Sequence, residues 1–188
     1  MRERTQMRNL PNGTAVVQIT TVGGRAFLRL KSWLPADITA NRPVLLAGRE
    51  LPSQVGATLP GPVHVLCVGP GEWLIVSHEH PVSSLRECIE PDRRKRYLVL
   101  VDLTDGFAGL DVQGSAAREI MSKGCGLDFH PRSFPAGRCA RTRFAQIPVV
   151  IDCLDQPCRF ELYVARSYVD YLRSWLTDAA VEFENAFT

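Results

Sequence analysis

The stretch Val101-Asp102-Leu103-Thr104-Asp105-Gly106-Phe107-Ala108-Gly109-Leu110-Asp111-Val112-Gln113-Gly114-Ser115-Ala116-Ala117-Arg118-Glu119-Ile120-Met121-Ser122-Lys123-Gly124-Cys125 decides how the chain is to be read. An apolar run from Tyr97 to Leu103 stops at Thr104-Asp105-Gly106, and a second short strand alternates from Phe107 to Val112. Gly114-Ser115 then opens a helix over 115–123. Ser115 is the expected N-cap, because its hydroxyl can accept a backbone N–H one turn on, and Gly124 is the expected C′ residue. The spacing thus predicts strand, tight turn, strand and helix. Such a unit cannot bury its apolar faces alone, so the rest of the chain must close over it.

Upstream, residues 1–14 are polar apart from a few side chains and read as an arm. Runs 16–21 and 26–31 are rich in β-formers and are separated by Val22-Gly23-Gly24-Arg25, a hairpin signal. Asn41 with Pro43 in the first turn predicts a short helix presenting Val44, Leu45 and Leu51, and 52–62 reads as loop. Val63 to Val68, the turn Gly69-Pro70-Gly71 and Glu72 to Ser77 form the clearest hairpin. A helix over 81–88 and a solvated run, Asp92-Arg93-Arg94-Lys95-Arg96, follow. Downstream come strands at 139–145, 147–154 and 159–164. The closing helix, 167–184, carries Val169, Leu172, Trp175, Leu176 and Ala179-Ala180 at helical spacing.

The segments around 66–78 and 153–166 share one plan: strand, Pro-containing turn, strand with an early aromatic residue, helix. This predicts an α+β fold of duplicated ββαββα units, with pseudo-repeats at about 15–92 and 96–188 forming one domain over 15–188. A chain of 188 residues is long enough to bury one core without a disulfide or a cofactor. A net charge of +2 is too small to imply nucleic acid as a bulk partner. The six cysteines form no Cys-x-x-Cys pair, and neither a signal peptide nor a membrane span is legible, so the expectation is a cytoplasmic protein with reduced thiols.

No set of residues reads as catalytic, cofactor-binding or metal-binding. His78-Glu79-His80 lacks the His-Glu-x-x-His register and is expected in an exposed turn, while His64 and His130 stand alone. Gly69-Pro70-Gly71 leads into a strand rather than a helix, and its proline removes a donor that a phosphate loop would need. Ser115 has no Gly-x-Ser-x-Gly elbow. The arginines are the functional candidates. Arg132, Arg138, Arg141 and Arg143 cluster around a loop entering a strand, and Arg141 and Arg143 share a face. A guanidinium there could clamp a carboxylate, a phosphate or a partner's acidic side chain, or stand on a solvated face. Trp33, in a Pro-rich loop, joins Arg138, Arg141 and Arg143 as an expected partner contact.

The succession Asp102-Leu103-Thr104-Asp105-Gly106, Gly114-Ser115-Ala116-Ala117-Arg118-Glu119, Lys123 to Arg132 and Phe134-Pro135-Ala136-Gly137-Arg138-Cys139-Ala140-Arg141-Thr142, with Gly69-Pro70-Gly71-Glu72-Trp73-Leu74 before it, resembles the gamma subunit family of heterotetrameric sarcosine oxidases. The resemblance runs from that Gly-Pro-Gly-Glu-Trp segment to the last helix, and more loosely over the first third. It implies the fold of the folate-binding domain of glycine-cleavage aminomethyltransferase, with ferredoxin-like halves. It also implies a structural role in a complex that oxidatively demethylates sarcosine or a related N-methyl amino acid. The implied partners are alpha, beta and delta subunits, which would hold FAD, FMN, NAD, tetrahydrofolate and zinc, with none in this chain. In the aminomethyltransferases the folate site depends on a Gly-Gly turn followed by an acidic residue. Here the corresponding place reads Phe144-Ala145-Gln146-Ile147-Pro148, and Asp152 comes too late in the strand. The alternative reading is a stand-alone folate or one-carbon-binding module of the same fold.

Overall fold

The computed structural model describes residues 16–33, 43–79, 81–96, 98–155 and 158–185; the arm 1–14 and the start of the helix expected at Asn41 lie outside them. In chain order the strands are β1 (Gln18–Val22), β2 (Ala26–Ser32), β3 (Leu45–Leu46), β4 (Arg49–Glu50), β5 (Thr58–Leu59), β6 (Val63–Gly69) and β7 (Glu72–Ser77), followed by β8 (Leu98–Asp102), β9 (Phe107–Gln113), β10 (Arg138–Phe144), β11 (Ile147–Asp155) and β12 (Arg159–Ala165). The helices are α1 (Val82–Arg96), α2 (Ala117–Gly124) and α3 (Val169–Asn185), the last preceded by a 3-10 turn at Arg166–Tyr168. Among the described residues no helix is long and apolar enough to cross a membrane.

Two five-stranded sheets organise these elements. One has the order β8-β2-β7-β6-β5 and the other β1-β9-β12-β11-β10. The orders correspond position by position. The hairpin β6–β7 takes the place in its sheet that β11–β12 takes in the other, each is flanked by the strand before it, and each is followed by a long helix. The duplicated α+β plan is therefore present, with one feature that alternation in the sequence does not reveal. β1 lies beside β9 and β8 lies beside β2, so the first strand of each half belongs to the other half's sheet. The compact units follow the sheets: 24–107 form one, and residues up to Gly23 join those from Ala108 onward in the other.

This exchange corrects two expected hairpins. Runs 16–21 and 26–31 do not pair with each other, and neither do 97–103 and 107–112. Both linkers carry good turn residues, but a turn signal fixes a change of direction and not the identity of the strand that is joined. At the second linker Thr104 makes the connection: its N–H donates to Asp102 Oδ1 at 3.0 Å, and its hydroxyl oxygen accepts from Phe27 N–H at 3.1 Å. Leu103 N–H donates to Phe27 O at 2.9 Å, which ties the linker to β2.

Three further expectations change. Residues 45–50 form the small hairpin β3–β4, with Ala47 and Gly48 at positive φ, in place of helix; Val44 and Leu51 are nevertheless buried, joined by a 2.9 Å backbone bond. Helix α1 extends through the charged run to Arg96, which the apolar spacing could not show because those residues contribute no stripe. Ser115 does not cap α2; Ala116 holds the N-cap position, and the Ser115 hydroxyl donates to Val16 O at 3.4 Å.

Each sheet has its own core. Leu28, Leu30, Val65, Cys67, Trp73, Ile75, Leu98 and Leu100 pack with Leu85 and Ile89 of α1. In the other unit Leu110, Val112, Ile151, Cys153, Phe160, Leu162 and Val164 pack with Ile120 and Met121 of α2 and with Leu172, Leu176 and Ala180 of α3. The apolar stripe of the last helix thus faces where its spacing predicts.

A candidate partner-binding surface

Strand β10 is the outermost strand of its sheet among the described residues, and it carries Arg141 and Arg143 at alternate positions after Arg138 at its start. Cys139 and Phe144 are buried, Arg138 is half-buried, and Arg141 and Arg143 are exposed. The register sets Arg141 opposite Val150 and Arg143 opposite Pro148, so both guanidinium groups leave the same face of the sheet. Arg132 precedes the strand in a loop, its N–H donating to His130 Nδ1 at 3.2 Å, and His130 N–H donates to Asp128 Oδ1 at 2.9 Å. Hydrogen bonds from the Ser133 hydroxyl and then from His130 hold the Asp128 carboxyl below its ordinary range.

The turn after β10 is two residues long, and Ala145 and Gln146 have φ of 46° and 74°. Glycine or asparagine normally fills such positions, because a Cβ crowds the backbone at positive φ. Three bonds hold the turn. Ala145 N–H donates to Gly124 O at 2.8 Å, Tyr171 O–H donates to Ala145 O at 2.8 Å, and Arg143 Nη2 donates to Gln146 O at 2.7 Å. Arg143 is therefore a fixed guanidinium beside a fixed turn, with exposed Tyr168 and Tyr171 one helical turn apart nearby in sequence order on the last helix and its 3-10 lead.

Trp33 belongs to the other compact unit and ends β2 with 65% of its surface exposed. Lys31 Nζ lies 4.7 Å from the centroid of its ring. Within β10, Arg141 and Arg143 share a face, while Arg138, three residues before Arg141 and half-buried, falls on the opposite face by the two-residue period. His78 and Glu79 are exposed after β7, His64 is buried, and His80 lies outside the described residues. Among the described residues no group of three or more His, Cys, Asp or Glu side chains is placed to hold a metal ion, and none of the six cysteines is in a disulfide.

Two polar groupings escaped the sequence reading. Arg118 of α2 reaches across the irregular loop, donating from Nη1 to Phe129 O and to Phe134 O at 3.1 Å while lying 5.2 Å from the Phe160 ring centroid. Its role is to hold the loop 125–137 against the core. The spacing of a helix cannot show this, since the partners are backbone carbonyls. The second grouping is a set of buried carboxylates, Asp111, Asp152 and Glu161. Arg159 Nε donates to Asp111 Oδ1 at 3.0 Å, and Tyr163 O–H donates to Glu161 Oε2 at 2.6 Å. Asp152 sits opposite both Cys139 and Glu161 in register. A signal was available here: each acid interrupts an otherwise apolar strand.

The model of the sarcosine oxidase, gamma subunit family matches residues 35–182. Sarcosine oxidase subunit gamma of Corynebacterium sp. (strain U-96) is 30% identical over 142 residues, 74% of this chain and 67% of the relative. That of Corynebacterium sp. (strain P-1) is 32% identical over 145 residues, 72% of this chain and 66% of the relative. The chain thus spans about two thirds of the length of these curated relatives. A chain of the heterotetrameric sarcosine oxidase from Corynebacterium sp. U-96, solved in complex with pyrrole 2-carboxylate, superposes with a TM-score of 0.76 at 26% identity, covering 92% of this chain and 87% of that one. Aminomethyltransferase T of the glycine cleavage system from Bartonella henselae shares the fold, with a TM-score of 0.59 at 10% identity, covering 89% of this chain and 49% of that one.

Proposed function

The chain belongs to the sarcosine oxidase, gamma subunit family, and from this we propose that it is an architectural subunit of a heterotetrameric oxidase that demethylates sarcosine or a related N-methyl amino acid. The observation that carries this reading is the superposition of nearly the whole chain on a chain of such a heterotetramer. The internal chemistry supports it. Asp111, Glu161 and Arg118 are engaged by Arg159, Tyr163 and loop carbonyls in holding the fold. The place of the folate-site glycines is a strained Ala145-Gln146 turn tied down by three bonds.

On this reading the alpha, beta and delta chains of a cytoplasmic complex hold FAD, FMN, NAD, tetrahydrofolate and zinc. This chain, an arm over 1–14 and then a two-repeat domain over 15–188, contributes contact surface through Trp33, Arg138, Arg141 and Arg143. Arg and Trp are the residue types whose truncation at interfaces most often costs at least ~2 kcal/mol. The test is purification of the chain alone and from a strain co-expressing the neighbouring open reading frames. The expected result is a colourless, metal-free isolated chain without oxidase activity or folate affinity, and a coloured, active complex when it is purified with its partners. Stoichiometric flavin or tight folate binding in the isolated chain would refute the architectural role.

A further inference from the structure

The hairpin β11–β12 carries two cysteines, Cys153 near the end of β11 and Cys158 just before β12, and both pack on the core side of the sheet. Phe160 is the register partner of Cys153, and Cys158 stands two residues before Phe160. Cys153 is fully buried within the cluster that α2 and α3 cover, and half-buried Cys158 packs against that same cluster. The two are therefore diagonal neighbours across the hairpin, with the register shifting between Cys153 and Asp155. Their carbonyls anchor the segments on either side of α2: Gly114 N–H donates to Cys158 O at 3.1 Å, and Gly137 N–H donates to Cys153 O at 2.9 Å. Arg118 joins them from α2. Its Nη2 lies 3.8 Å from Cys153 Sγ, while its Nη1 holds the carbonyls of Phe129 and Phe134 in the loop 125–137. A guanidinium beside a thiol favours the thiolate, the form that attacks an oxidised sulfur.

We propose that Cys153 and Cys158 are a dithiol pair that hydrogen peroxide closes to a disulfide, and that closure releases the loop 125–137 from Arg118. The more accessible Cys158 reacts first: its sulfur attacks one peroxide oxygen, the O–O bond breaks, and the sulfur becomes a sulfenic acid as water leaves. The Cys153 thiolate then attacks the Cys158 sulfur, the S–S bond forms, the S–O bond breaks, and the hydroxyl takes a proton and leaves as a second water. Each sulfur gives up one electron and each thiol its proton, so one peroxide becomes two waters. Burial raises the Cys153 thiol above its ordinary pKa, and the Arg118 guanidinium opposes that rise, which suits Cys153 to the second step. Diagonal neighbours stand roughly 7–8 Å apart between Cα atoms, whereas a disulfide spans at most about 6.8 Å. Closure therefore draws the hairpin together and turns the Cys153 sulfur from Arg118 toward Cys158. The bonds from Gly114 and Gly137 carry that movement to both ends of the segment that holds α2 and its loop. The pair stands apart from the oxidase reading; only a local source of peroxide, the two-electron reduction product of dioxygen, rests on it.

The experiment uses the full chain, purified reduced and exposed to hydrogen peroxide, with peptide mass spectrometry and hydrogen exchange as readouts. For the wild type the expected result is loss of two hydrogens, a bond mapped between Cys153 and Cys158, and exchange over 125–137 faster by about fivefold, all reversed by a thiol reductant. Bond formation should quicken as pH rises, because the attacking form of Cys153 is the thiolate. Cys153→Ser should stop at a Cys158 sulfenic acid that dimedone traps, with loop exchange unchanged by peroxide. Arg118→Gln should show the faster loop exchange while still reduced and no further rise on oxidation. Cys153 and Cys158 left as free thiols by a treatment that oxidises the exposed Cys88 would overturn the pair, as would a bond from Cys158 to Cys125. A Cys153–Cys158 bond with unchanged exchange over 125–137 would overturn the release of the loop. None of these outcomes depends on recovering partner chains, so a failure here leaves the oxidase reading standing.

Discussion

Gly124 has no room for a methyl group. A Cβ there would lie 2.1 Å from Phe144 Cζ, and the Phe144 ring is held edge-on to Trp175 at 5.1 Å between centroids. The sequence marks Gly124 as a helix end, but the next residue is extended, and the glycine serves close packing instead of a left-handed cap. Gly124→Ala is expected to cost about 1–3 kcal/mol by urea unfolding, the range for overpacking a core. Gly126→Ala, with nothing near its Cβ, is expected to stay within about 0.5 kcal/mol of wild type. Equal effects at the two sites would contradict the packing argument. Asp102 makes a second residue-scale test. Its carboxylate accepts from Thr104 N–H, which lowers its pKa below the ordinary value, so its contribution is present above the unfolded carboxyl pKa and is lost as pH falls through the folded one. The stability gap between wild type and Asp102→Asn should therefore be constant near neutrality and close below about pH 4. A gap that persists in acid would show that the carboxylate is not the source.

The exchange of first strands is the feature at element scale that matters most. β1 adds Val17 and Ile19 to the core of the unit formed with residues 108–185, and Gly114 makes room for it, since a Cβ there would lie 2.4 Å from Val16 O. Removing residues 1–22 should uncover the edge of β9, accelerate hydrogen exchange over 107–113 and cost several kcal/mol, at about 1.5–3 kcal/mol per fully buried large aliphatic side chain. Removing only 1–14 should leave the melt nearly unchanged. Equal protection of 107–113 in both truncations would contradict the pairing of β1 with β9. The hairpins β6–β7 and β11–β12 and the last helix were legible because each pairs or packs through its own local pattern. The exchange was not, because Val16 to Thr21 alternates equally well beside β2 or β9 and the glycines between them specify only a bend. Likewise, Arg141 and Arg143 of β10 could be placed on one face from a period of two, while the partners of Arg118 and Glu161 depend on tertiary placement that no spacing encodes.

At the scale of the whole molecule, the chain invests its buried charge in holding itself together and leaves Trp33, Val99, Val101 and the arginines of β10 at its surface. That distribution suits a protein that acts by being bound. It explains why motif reading reached the family before it reached any site: the quoted motifs are turns, linkers and loop anchors of the scaffold, such as Thr104 at the linker and Arg118 over its loop. The most direct measurement of the central claim is native mass spectrometry of the material recovered through a tag on this chain after co-expression with the neighbouring open reading frames. The account predicts one dominant assembly of four different chains, this one present once and released without flavin when the assembly is dissociated. Recovery of this chain alone or as a homo-oligomer, with the other chains expressed and assembled without it, would contradict it.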